Sequence, residues 1–383
     1  MKRIRIAAAL VGATALVLGL TTPSIAAGGF SHPKYYPATG TSLYPVATAD
    51  FNRDGRRDIV VGSEDNATVS FLYAKKGGGF KPQVDYPGGS YPFWISVADF
   101  NHDHRPDVAV AADDSPGTVN VLLSKRSGGF RSLDTYTVGD DVYALAVADF
   151  NHDGNLDIAS ADEGADQVSL LLGRHNGTFK HHGHLPTDHE PVGIVAADLN
   201  HDGKKDLAVL NYRGGSNANV QVFLGNGHGG FGHGKRFKAG ATDPEGMVGA
   251  DFNGDHRLDL AVPSCDAGGG NKVYLLDGTK KGTFKKPRGF RNTPGSCAYV
   301  PAAADLNGDG RTDLVTAIYT GSYLGDVSVQ YGRRGGKLSK PKRFHATGAG
   351  ENYSTAIARL NHDKRPDLVV PDYDNPRVAV LYG

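Results

Sequence analysis

Cysteine, methionine and tryptophan are nearly missing from this chain: two, two and one among 383 residues. Two cysteines are too few for a disulfide-dense scaffold. They allow one bridge, and Cys265 and Cys297 are expected to form it in an oxidising compartment. Net charge is missing too, with 41 Lys and Arg against 41 Asp and Glu. A balanced surface argues against nucleic acid as the main partner. Beyond residue 20 there is no long apolar run, so no later segment offers the roughly 20 apolar residues of a membrane span.

The first residues differ. Lys2, Arg3 and Arg5 precede the apolar stretch Ile6–Leu20, and Ser24-Ile25-Ala26-Ala27 presents small residues to a signal peptidase. The pattern is that of a secretory leader over residues 1–27; a membrane anchor would need a longer apolar run. Without the leader's three basic residues, 38 Lys and Arg face 41 Asp and Glu. The expected product is an extracellular monomer with no membrane span.

What is plentiful is glycine, 52 residues, which fits short strands joined by tight turns. One nine-residue segment recurs seven times: DFNRDGRRD from Asp50, DFNHDHRPD from Asp99, DFNHDGNLD from Asp149, DLNHDGKKD from Asp198, DFNGDHRLD from Asp251, DLNGDGRTD from Asp305 and RLNHDKRPD from Arg359. The starts lie 49, 50, 49, 53, 54 and 54 residues apart, which defines an internal repeat. Around one copy, Pro191–Ala197 is a short apolar run, Asp206–Leu210 a second and Val220–Gly225 a third. A Gly-rich turn ending at Phe231 opens a fourth. Four strands per repeat and seven repeats predict an all-β, seven-bladed propeller with four-stranded blades.

Residues 28–383 are therefore read as one domain. The third strand of the last repeat, Arg377–Gly383, ends the chain, while Gly28-Gly29-Phe30 matches Gly128-Gly129-Phe130 and Gly229-Gly230-Phe231. The N-terminal strand is expected to complete the last blade, closing the ring and removing an open sheet edge.

The nine-residue segment places oxygen-bearing side chains at positions one, three, five and nine. These are Asp50, Asn52, Asp54 and Asp58; Asp99, Asn101, Asp103 and Asp107; Asp149, Asn151, Asp153 and Asp157; Asp198, Asn200, Asp202 and Asp206; Asp251, Asn253, Asp255 and Asp259; and Asp305, Asn307, Asp309 and Asp313. Hard oxygen donors with several carboxylates, and no thiol or imidazole at these positions, select Ca²⁺. The alternative is a set of Asx turns without metal, but three carboxylates packed together repel one another without a cation. Six Ca²⁺ are expected. Position six is Gly55, Gly154, Gly203 and Gly310 in four copies and His104 and His256 in two. The seventh copy carries Arg359 at position one, and its guanidinium is expected to replace the ion by pairing with Asp363 and Asp367. Histidines at position four, His102, His152, His201 and His362, read as solvated turn residues.

These segments resemble the FG-GAP/VCBS repeat family, found in integrin alpha-subunit propellers and in secreted bacterial proteins. The resemblance covers essentially all of residues 28–383. It implies a calcium loop between the first and second strands of each blade, held by the residues just named, with Arg359 as the departure. It also implies binding of proteins or glycans; some members are lectins or polysaccharide lyases, so the fold is better specified than the function.

With calcium loops on one face, ligands are expected on the other, whose loops hold acids and aromatics. The candidates there are Tyr91, Trp94, Asp188, His189, Glu190, Glu245, Tyr299 and Glu351; a solvated acidic rim is the plainer alternative. Both cysteines fall at this face, where they can join neighbouring blades. No nucleophile accompanies Asp188-His189-Glu190, so no catalytic residue is assigned. The expected function is an extracellular binding module for glycan or protein. The alternative is a carbohydrate-active lyase or hydrolase using the same face.

Overall fold

The computed structural model describes residues 29–131, 133–212, 218–265, 271–293, 297–319, 325–348, 350–361 and 363–383. Residues 1–27, where a leader is expected, and Gly28 and His362 lie outside them. Seven four-stranded antiparallel sheets follow one another along the chain; six have their strands in sequence order, and the last takes its fourth strand from the N-terminal end. Blade 1 is Leu43–Ala49, Asp58–Ser63, Thr68–Leu72 and Val84–Pro87. The first strands of successive blades contact one another, which places them innermost. This is the seven-bladed all-β propeller that the repeat predicts.

Burial follows from position in the blade. Second strands such as Asp58–Ser63, Asp206–Asn211 and Asp367–Asp372 are buried along their whole length. Neighbouring blades cover both faces, so these strands read as unbroken Val, Leu, Ile and Ala rather than as an alternation. Fourth strands lie at the rim. Lys235–Lys238 exposes Lys235, Arg236 and Lys238 and turns only Phe237 inward.

Neighbouring blades lock at the loop face. Phe51, at position two of the first repeat segment, meets Phe130 from the hairpin of blade 2 at 6.0 Å between ring centroids. Phe100 meets Phe179 at 5.4 Å, and Phe150 meets Phe231 at 5.5 Å. In these three segments the Phe and the Gly-rich hairpin of the next repeat are thus two halves of one contact.

The last blade has Ala356–Ala358, Asp367–Asp372 and Arg377–Leu381 from the C-terminal end. Lys34–Pro37 pairs antiparallel with the last of these, Lys34 opposite Val380 and Pro37 opposite Arg377. Phe30 lies ahead of that strand and packs edge-on against Phe344 of blade 6 at 5.3 Å. Blades 1 and 7 also touch directly: Tyr44 stacks on Tyr353 at 5.3 Å, and the Ser354 hydroxyl donates to the Tyr44 carbonyl at 2.5 Å. Cys265 and Cys297 form a disulfide that ties blade 5 to the first strand of blade 6.

Candidate functional site

Antiparallel order puts the loop between strands one and two, and the hairpin between strands three and four, at one end of every blade. The remaining loops lie at the opposite end. The nine-residue segments are the first kind; all seven share the bonds made by position nine, and the first six share those made by position one.

In the first loop, Asp50 accepts the N–H of Asp54 at 2.9 Å on one oxygen and that of Gly55 at 2.8 Å on the other. Asn52 also accepts from Asp54, and Asp54 accepts the N–H of Arg56 at 3.0 Å. The guanidinium of Arg56 returns to pair with Asp54. Position six has left-handed backbone in all seven loops, with φ of 82° at Gly55, 61° at His104, 62° at His256 and 72° at Lys364. Position four is left-handed as well at Arg53, His102, His152, His201, Gly254 and Gly308. The histidines there are solvated turn residues in a conformation that favours glycine. The sequence carried a signal for this in Gly254 and Gly308, where the same position is glycine.

Position nine differs from the others because it is fully buried. Asp58 accepts the N–H of Phe51 at 3.0 Å on one oxygen and that of Ala74 at 2.8 Å on the other. Asp107, Asp157, Asp206, Asp259 and Asp313 repeat both bonds. So does Asp367 in the seventh copy, through Leu360 and Gly383. Burial raises the Asp58 carboxyl to about 7, and the charges of Asp54 and Asp50 add to the rise. Asp107, Asp157, Asp259 and Asp313 rise to about 6, again chiefly through burial.

This donor set fits a hard divalent cation: every donor is oxygen, one carboxylate is held out of water, and two others act on it electrostatically. Among the described residues no three Asp, Glu, His or Cys side chains already converge as a metal cage. The position-one and position-five carboxylates are turned onto loop N–H groups instead, and each oxygen accepting one N–H keeps a further lone pair. In the seventh loop Arg359 is exposed and makes no ion pair with Asp363 or Asp367 among the described residues, so the expected guanidinium-for-ion replacement is not there. Asp363 accepts from Arg365 and from the Asn361 amide instead.

At the opposite face the candidates separate. Trp94 is 1 % exposed, with its indole N–H 3.2 Å from the Ser96 hydroxyl, and belongs to the core. Asp188 is turned inward to the Asn219 amide at 2.9 Å and Arg236 at 3.2 Å, whereas His189 points outward to Asp166 at 3.1 Å. Asp188, His189 and Glu190 therefore do not converge. Tyr91 stands out on the surface, 49 % exposed.

Glu245, Tyr299 and Glu351 are brought together at the axis. In five blades the first strand carries a register shift of one residue, and the residues at the shift include Tyr44, Phe93, Tyr143, Val192 and Tyr299. Such bulges re-aim side chains, and here a run of rings follows across blades 6, 7, 1, 2 and 3. Tyr299 meets Tyr353 at 5.1 Å, Tyr353 meets Tyr44 at 5.3 Å, Tyr44 meets Phe93 at 5.1 Å and Phe93 meets Tyr143 at 5.7 Å. Carboxylates sit above the rings. Tyr143 donates to Glu245 at 2.6 Å, Tyr353 donates to Glu351, and Tyr373 approaches Glu64 at 3.4 Å. Glu64, Tyr143 and Tyr353 belong to the loops whose acids and aromatics the sequence places at this face, whereas Tyr44, inside a first strand, is missed.

Fold and loops together define a propeller of acidic-loop repeats. A family model described as FG-GAP-like repeat matches residues 50–110, 105–160, 149–209, 264–316 and 305–370. These segments span well over half of the sequence, and the chain belongs to the FG-GAP-like repeat family. The loop Asp251–Asp259 lies outside the matched segments yet keeps the same bonds. None of the curated proteins compared with the chain matches it.

Proposed function

We propose that this chain is an exported, calcium-stabilised binding module whose ligand face is the one opposite the repeat loops. The observation that carries the calcium reading is the buried carboxylate at position nine, forced upward by burial and by two neighbouring carboxylates in the same loop. Six loops would hold the ion through Asp50, Asn52, Asp54 and Asp58 and their equivalents. The seventh lacks the position-one carboxylate and would hold none. Bound Ca²⁺ supplies positive charge that offsets the mutual repulsion of each set.

Export rests on the leader pattern of residues 1–27, and the Cys265–Cys297 disulfide accords with an oxidising compartment. The loops of the opposite face vary from blade to blade on a rigid frame, as ligand loops do, and glycan or protein is the ligand class. The protein acts as a monomer. Metal analysis of the purified, exported protein is the test, with about six Ca²⁺ expected; a content of two or fewer overturns the calcium reading. Glycan and protein arrays probed with and without chelator then test the ligand.

A further inference from the structure

The chain is balanced in charge, yet its cations are unevenly placed. In blade 5, residues 278–291 run from the hairpin to the end of the fourth strand and hold six Lys and Arg with no Asp or Glu. Residues 332–345 of blade 6 hold six more, again with no acid. The same stretch holds three at most in blades 1 to 4, and in blades 1 and 2 it also carries an acid, Asp85 or Asp134.

Few of these twelve cations are neutralised. Asp277 holds Lys285 at 3.9 Å and Arg288 at 2.5 Å, and Asp326 holds Arg343. The other nine make no ion pair among the described residues, and all nine are exposed. The two stretches adjoin: the Arg288 guanidinium donates to the carbonyl of Gly336, in the blade 6 hairpin, at 2.8 Å. Hairpins lie at the repeat-loop end and fourth strands at the rim, so the cations continue from that end over the outer edge.

The patch is polar throughout. Arg288 covers the Phe290 ring at 5.5 Å and Lys342 covers Tyr331 at 5.2 Å. The exposed large apolar side chains among the described residues, Tyr35, Val84, Tyr91 and Leu224, all lie elsewhere. Nucleic-acid bases would want an open ring to stack on, a membrane an apolar residue to insert and a protein partner an apolar centre. A flexible, saturated polyanion needs none of these, and it can follow cations around an edge.

We propose that the repeat-loop end and outer edge of blades 5 and 6 bind an acidic polysaccharide, its carboxylates or sulfates lying against Lys281, Lys286, Arg291, Arg334 and Lys340. Cations without counter-charges on one side attract and concentrate such a polymer. This surface is separate from the ligand face proposed above and stands or falls apart from it.

The test is isothermal titration of the purified, exported protein at fixed calcium. Dextran sulfate and hyaluronan are the acidic probes, and dextran is the neutral one. Saturable binding of at least one acidic probe is expected, with none of dextran; dextran sulfate alone assigns sulfate esters, and hyaluronan alone uronates. Binding should be lost between about 50 mM and about 500 mM salt, as screening shortens the reach of exposed charges. Lys281→Glu with Arg334→Glu, on the hairpin tips of blades 5 and 6, should weaken it at least about tenfold. Lys76→Glu with Arg126→Glu reverses the same amount of charge on the hairpin tips of blades 1 and 2 and should leave it within about twofold. Both proteins should keep the wild-type melting temperature. Equal weakening by the two pairs, equal binding of dextran, or no binding of either acidic probe overturns the proposal. Tighter binding of duplex DNA, polyglutamate or phosphatidylglycerol vesicles than of either acidic glycan overturns it too, and names the other partner class.

Discussion

The carboxylate of Asp58 ties Ala74, at the end of the third strand, to Phe51, at the start of the loop, through N–H bonds of 2.8 and 3.0 Å on its two oxygens. Asp367 makes the same two bonds in the loop that lacks a position-one acid. Position nine is thus a structural clamp whether or not an ion is present. Position one caps only the exposed loop tip.

This separates two substitutions. Asp58→Ala or Asp367→Ala orphans two buried N–H groups and should cost about 2–5 kcal/mol in both calcium and chelator. Asp50→Ala should cost about 1 kcal/mol or less in chelator and lower the calcium content by one ion. Chemical denaturation with and without EDTA reads the difference. An Asp367→Ala protein as stable as wild type would refute the clamp.

His256 offers a gain in stability. Its φ of 62° falls where a side chain is strained and glycine is not. Gly55, Gly154, Gly203 and Gly310 occupy the same position, and a Cβ there would meet no atom within 4 Å. The constraint is therefore the backbone alone. His256→Gly should stabilise by about 1 kcal/mol in thermal unfolding, and Gly203→Ala should destabilise by a similar amount.

The sequence was most legible where one signal was repeated. Seven copies of a nine-residue segment revealed blade number, strand order and loop position, and Cys265 and Cys297 revealed their pairing. Local departures were less legible. Alternation along a strand assumes two residues per repeat, so a bulge that turns Tyr143 toward the axis is invisible to it. Trp94 is a ligand-face candidate by its loop position, yet it packs into the core, the other place open to it. Arg359 had suitable charge for its loop, but its side chain lies exposed, away from Asp363 and Asp367. Such outcomes depend on packing between repeats, which no single repeat encodes.

Glu64 gives a pH prediction with a definite sign. Burial holds its carboxyl above the ordinary value, the neighbouring Asp65 adds to this, and the Tyr373 hydroxyl opposes it weakly. The fold thus favours the protonated form. Stability from this group is present below the ordinary carboxyl pKa and lost as pH rises through the raised one. Glu64→Gln keeps an acceptor for Tyr373 and removes that loss. Its melting temperature should equal wild type near pH 4 and exceed it at pH 7, at fixed calcium. A gap of the same size at both pH values would contradict this assignment.

The N-terminal strand supports the last prediction. Lys34–Pro37 covers the edge of Arg377–Leu381. Tyr36 fastens it twice, its hydroxyl 3.1 Å from that of Tyr382 and its ring edge-on to Phe80 of blade 1 at 4.8 Å. If this strand closes the ring, a chain beginning at Ala38 exposes the row of N–H and C=O groups along Arg377–Leu381, and such edges recruit other strands. We predict concentration-dependent oligomers and a lower melting temperature for that truncation, measured by light scattering and calorimetry against a chain beginning at Gly28. A peptide spanning residues 29–37 should restore the monomer when added in excess, because it supplies the missing strand. Tyr36→Ala should show a milder form of the same defect. A truncated chain that stays monomeric with an unchanged melting temperature would mean that contacts between blades 1 and 7, such as Tyr44 on Tyr353, close the ring without the strand.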